Sequence, residues 1–130
     1  MMKSSHIEYL NNKVYFMKDN RLLDSKARPI MMGWEDPIMK DAASLICHNK
    51  GRILNVGFGL GLIDTYIQSH QVQEHWIIEA HPDVQNKMKK DGWNKKLNVT
   101  CLFDKWQNIL DILPKFDGIL RYMRHSSLTL

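Results

Sequence analysis

The chain has 130 residues, 44% of them hydrophobic, which is enough for one modest domain with its own core. No apolar run reaches the roughly 18 residues of a membrane span, and the opening stretch, MMKSSHIEYLNNK, lacks the apolar segment of a secretory leader. The net charge of +4 has one local cluster, NKMKKDGWNKK, which reads as a solvated helix face and not as a nucleic-acid footprint, because no stacking aromatics on a sheet accompany it.

In chain order, residues 7–32 form a lead-in. KVYFM (13–17) and RPIMM (28–32) have the composition of short strands, with KDNRLLDSKAR offering turn chemistry between them. WEDPIMKDAASLI follows as a helix with acids and Pro37 at its start, and Ile38, Ala42, Leu45 and Ile46 on one face. A regular rhythm then sets in. Strand RILNV (52–56) runs through three glycines into helix GLIDTYIQSH. Strand HWIIEA (75–80) leads into PDVQNKMKKDGW, with Pro82 in the first turn and Gly92 at the end. Strand NVTCLF (98–103) leads into DKWQNILDIL, stopped by Pro114, and FDGILRY (116–122) is a fourth strand. Short apolar strands alternating with helices build right-handed βαβ units and a parallel sheet. The fold class is therefore α/β and Rossmann-like.

Cys47 and Cys101 fall in a predicted helix and a predicted strand, and are expected as buried free thiols in a reducing compartment. The chain is expected in the cytoplasm, with the nucleus as a further compartment. None of the six histidines stands at metal-ligand spacing, so no metal is expected.

The glycines Gly57, Gly59 and Gly61 bare the backbone after the first parallel strand, as a nucleotide-like ligand requires. Dinucleotide sites use G-x-G-x-x-G. Here the third glycine comes one residue early, and Leu62 occupies the place the dinucleotide pattern reserves for glycine, which disfavours a nicotinamide oxidoreductase. Glu79 ends the second strand 20 residues past Gly59, where a carboxylate can accept both hydroxyl protons of a ribose. A turn that uses glycine only for packing is the alternative.

The G-x-G-x-G spacing resembles the first motif of class I S-adenosylmethionine-dependent methyltransferases, although many of those carry an acid where this chain has Asn55. Longer stretches sharpen the likeness. IMMGWEDPIM, NVGFGLGLIDT, HWIIEAHPDVQNKMKKDGW, KWQNIL and FDGIL are similar in type and spacing to a group that pairs guanidinoacetate methyltransferase with the fungal-type protein arginine δ-N-methyltransferases, over roughly residues 7–120. EAHPDV, KM and DGW look most like the arginine enzymes.

The resemblance implies S-adenosylmethionine as cofactor and a guanidino substrate, protein arginine or guanidinoacetate; from the composition, neither nucleic acid nor membrane is expected as partner. It implies a cofactor site covered by Tyr9 and Met31, packed by Met39, and formed by the loop Phe58, Gly59, Leu60, Gly61, Leu62 and Ile63. Glu79, Ala80, His81 and Pro82 would hold the ribose, and Trp106 and Gln107 would flank the adenine. Simpler roles compete: Met31, Met39 and Ile63 as core, Trp106 as a helix-packing aromatic, and His81 as a loop residue. Glu35 corresponds to the catalytic carboxylate that pairs a guanidinium, and it could equally be an acid complementing a helix N-terminus.

In the resembling enzymes FDGI runs through two more residues into a second carboxylate. Tyr122 stands there in this chain, with Arg121 and Arg124 beside it, and cations close to a guanidinium repel it by up to a few kcal/mol at an effective dielectric near about 20. The tail HSSLTL is short for the elements that complete such a sheet. The expected organisation is a lead-in and cofactor lid over 1–34, a partial donor-binding domain over 35–122 and a divergent tail over 123–130, with an open sheet edge. Low or no activity is expected of it. The alternative is a non-catalytic cofactor-binding or interaction fragment that pairs through that edge with itself or a longer relative.

Overall fold

In a computed structural model of the chain, which describes residues 10, 13–17, 21–23, 25–26, 29–32 and 36–121, a small antiparallel sheet precedes a four-stranded parallel one. The first sheet holds β1 (Tyr15–Met17), β2 (Arg21–Leu23) and β3 (Pro29–Met32) in that order. The middle strand lies inside the segment the sequence marks as turn chemistry. Leu22 explains it: the side chain is fully buried in the core, and that burial outweighs the polar local composition. Val14 joins the same core, and its N–H donates to Asp83 Oδ2 at 3.1 Å.

The parallel sheet is built by α1 (Asp36–Ile46), β4 (Arg52–Val56), α2 (Leu62–Ser69), β5 (Glu74–Ile78), α3 (Pro82–Lys90), β6 (Val99–Leu102), α4 (Trp106–Ile109) and β7 (Gly118–Arg121). A short 3₁₀ turn follows α3 at Trp93–Lys95, and another extends α4 over Leu110–Ile112. The strand order is β6-β5-β4-β7, all parallel. The chain thus steps outward from β4 to β6 and returns with β7 on the other side of β4. That reversal opens a crevice at the carboxyl ends of β4 and β7, the place where open α/β sheets take ligands.

Successive residues of β4 face opposite sides of the sheet. Ile53 belongs with Ile77, Ile63 and Ile67 to the core beneath the helices, while Leu54 and Val56 face Trp106, Leu113 and Phe116 across an apolar cavity of about 330 Å³. Asp117 pins the start of β4 by accepting the Arg52 N–H at 2.8 Å.

The α1 face differs from the predicted one. Met39, Ala43 and Cys47 are buried at i, i+4 and i+8, with Ala42 and Ile46 half-buried, whereas Ile38 and Leu45 are 63% and 79% exposed. Two small residues make this face the better fit. Ala43 is fully buried, and Gly118 of β7 lets α1 come so close that a Cβ there would overlap the Ile46 carbonyl. A bulkier stripe would hold the helix off the sheet.

The basic cluster lies on and after the last turn of α3, where Lys87, Lys89 and Lys90 complement the helix dipole. Lys89 and Lys96 stack over Phe103 and Trp93. Neither cysteine is in a disulfide. Cys47 is buried and Cys101 half-buried, and burial pushes both thiols up to about 11. No helix among the described residues is long and apolar enough to cross a membrane.

Candidate functional site

The loop from β4 to α2 is shaped by its glycines: Gly57, Gly59 and Gly61 all adopt positive φ, at 96°, 58° and 78°. Gly61 is the most constrained. It caps α2 in the left-handed region, and a Cβ on it would run into the Phe58 ring packed beneath. Phe58 is buried and meets Trp93 edge-on at 5.1 Å. The Gly57 N–H extends the sheet ladder by donating to the Ile78 carbonyl at 2.8 Å. Thr65 Oγ1 donates to the Gly61 carbonyl at 2.7 Å and locks the first turn of α2.

Glu79 joins this loop to the next. Its Oε1 accepts the N–H of Phe58 at 2.8 Å and of Gly59 at 3.4 Å, and its Oε2 accepts the His81 N–H at 2.9 Å. The residue is 4% exposed. Burial pushes its carboxyl above the ordinary 4.5, against the opposing pull of the His81, Phe58 and Gly59 N–H groups. His81 is itself a helix cap: its Nδ1 accepts the Asp83 N–H at 3.0 Å, and Pro82 follows at the first helical position. Gln85 Nε2 donates back to the Glu79 carbonyl at 2.9 Å.

Below the loop is a polar group the motif did not announce. Asp64, on the first turn of α2, is fully buried between His75 of β5 and Asn55 of β4. Its Oδ1 lies 2.8 Å from His75 Nε2, and its Oδ2 accepts from Asn55 Nδ2 at 2.9 Å. A carboxylate thus meets Asn55 from the helix, nine residues later in the chain. The signal was present in the sequence as Asn55 standing where an acid is expected, with Asp64 in the same glycine-to-helix stretch. Burial raises the Asp64 carboxyl above its ordinary value, while His75 and Asn55 draw it down.

The expected cofactor residues divide into those the loop brings together and those it does not. Phe58, Gly59, Glu79 and His81 meet through the hydrogen bonds above, with Ala80 between the last two. Ile63 and Met39 are buried in the core cluster, and Leu60 and Leu62 pack against it. Gln107 is exposed. Trp106 lines the apolar cavity on the opposite sheet face from the helical core, with the Arg121 guanidinium over its ring at 4.8 Å. Met31 lies in β3, and Tyr9, Glu35, Tyr122 and Arg124 lie outside the described residues.

A four-stranded parallel sheet with helices between its strands and a glycine loop at its switch point defines a Rossmann-like domain. The chain belongs to the guanidinoacetate N-methyltransferase family, whose model matches residues 4–127. It is 44% identical over 129 residues to protein arginine N-methyltransferase 2 of Yarrowia lipolytica, covering 91% of this chain and 27% of that protein. The protein of the same name from Candida glabrata is 44% identical over 120 residues, and that of Saccharomyces cerevisiae 41% over 121, each covering 85% of this chain and 29% of the relative. The chain thus spans less than a third of the length of these relatives.

Proposed function

We propose that this chain holds S-adenosylmethionine between the glycine loop and Glu79, as the donor-binding part of an N-methyltransferase acting on the guanidino group of protein arginine. The observation that carries this reading is the Glu79 carboxylate, buried at the carboxyl end of β5 and bonded to the backbone of the loop that would receive the donor. Identity of 41–44% to fungal arginine methyltransferases supports arginine over the smaller guanidinoacetate.

The residues fit a nucleoside. A carboxylate offers about four acceptor positions, and backbone N–H groups fill three of those on Glu79. One position remains for a ribose hydroxyl. A second opens if the Gly59 N–H, the longest of the three bonds at 3.4 Å, yields. When bound, the donor supplies an electrophilic methyl on a sulfonium centre. Guanidinium is a poor nucleophile whose lone pairs are delocalised and whose proton is held to a pKa above about 12. A site must therefore orient one nitrogen and pair the cation, and orientation alone supplies up to about 7–11 kcal/mol. Glu35 is our candidate for that pairing carboxylate. Because Tyr122 replaces the second one, binding with little turnover is the behaviour proposed for this chain.

Equilibrium dialysis with labelled S-adenosylmethionine tests the reading. Saturable binding displaced by S-adenosylhomocysteine and not by NAD is expected. Binding of NAD with no binding of the methyl donor would contradict it.

A further inference from the structure

The buried polar group under the glycine loop has a direction. Asn55 Nδ2 carries two hydrogens, one donated to Asp64 Oδ2 at 2.9 Å and one to the Gly57 carbonyl at 3.1 Å. Its Oδ1 is buried without a hydrogen-bond partner among the described residues. The reversed amide would aim that oxygen at a carboxylate and a carbonyl together, so the two acceptors fix its orientation and the orphaned oxygen is the cost. Asp64 is fixed in turn. His75 Nε2 contacts its Oδ1 at 2.8 Å, and Gln68 Nε2 contacts His75 Nδ1 at 2.8 Å. Gln68 and Asp64 stand four residues apart on α2, so one helix face grips both ring nitrogens. With the Gln68 amide donating to Nδ1, the hydrogen on Nε2 is donated to Asp64, a tautomer assigned by the network.

We propose that Asn55, oriented by Asp64, is a positioning residue for the glycine loop, acting on the Gly57 carbonyl. The proposal rests on reading that loop as the methyl-donor site. Asn55, Asp64 and His75 are all fully buried, so water cannot replace the links among the three. A core strut between α2 and the sheet could be apolar at no loss of stability. What an apolar strut could not do is hold the first loop carbonyl to one direction through a donor that is itself oriented. Gly57 is the residue where the chain leaves the ladder, its N–H still bonded to Ile78 and its φ already positive. Fixing its carbonyl therefore sets the course of the Phe58 and Gly59 amides that meet Glu79.

Two variants of the full chain separate positioning from simple support. Asp64→Asn keeps an amide oxygen for Asn55, and a turn of the half-buried Gln68 amide accommodates the change at His75. Asn55→Asp combined with Asp64→Asn keeps one acid and one amide in contact, yet leaves no hydrogen for the Gly57 carbonyl. Amide hydrogen exchange over residues 57–61, with β4 and β5 as internal reference, and calorimetric titration with S-adenosylhomocysteine are the readouts. Asp64→Asn is expected within about three-fold of the parent in both, and the double exchange about ten-fold faster in loop exchange and ten-fold weaker in affinity, the equivalent of one lost hydrogen bond. The sheet amides should stay protected. Equal loop exchange in the two variants, or loop and sheet opening together, would overturn the proposal. Loop exchange that separates as expected in a chain that binds no S-adenosylhomocysteine would uphold the positioning role and remove the methyl-donor reading instead.

Discussion

Glu79 holds two loops together in the fold and is also the residue proposed to meet the ligand. Its carboxylate ties the glycine loop to α3 through three backbone N–H groups. Glu79→Gln would set an amide hydrogen against one of those donors, so we expect a drop in melting temperature together with about ten-fold or greater weakening of S-adenosylhomocysteine binding, read by thermal unfolding and calorimetry. The same residue gives a pH signature. Burial holds its folded carboxyl above 4.5, so the folded chain keeps a proton the unfolded chain has released, and its contribution to stability falls as pH rises from about 4.5 through the raised folded value. Above about pH 4.5, stability should therefore decline more steeply with rising pH in the parent than in Glu79→Gln. Gly61→Ala is a purely conformational test: the left-handed φ and the Phe58 ring beneath it predict a loss of about 2 kcal/mol or more in denaturant unfolding.

Among the elements, the alternation of apolar strands and helices was legible because each parallel strand is short, apolar and bounded by turn residues, as in RILNV before its glycines. The rotation of α1 was not legible. Ile38, Ala42, Leu45 and Ile46 make the greasier stripe, but the stripe with Ala43 at its centre can approach Gly118, and that contact is visible only once β7 is in place. The middle strand of the first sheet was missed for a similar reason, since Leu22 is anchored by partners distant in sequence. The site divided along the same line. The glycines and Glu79 follow local spacing, whereas the Asp64 to Asn55 to Gly57 link needs β4, β5 and α2 together. For α1 the expected outcome is concrete. Ile38→Lys and Leu45→Lys should change unfolding free energy by less than about 0.5 kcal/mol, while Ala43→Leu should cost about 1–3 kcal/mol by overpacking. The reverse pattern would restore the face first expected.

For the molecule as a whole, the sheet reversal between β4 and β7 puts the glycine loop, Glu79 and the end of β7 along one edge. The most direct test is calorimetric titration of the purified chain with S-adenosylhomocysteine, with Glu79→Gln alongside and circular dichroism to establish that both are folded. One saturable site in the parent, weakened about ten-fold or more in the variant, is the predicted result. A folded parent that shows no heat of binding, or a variant that binds as tightly as the parent, would contradict the account.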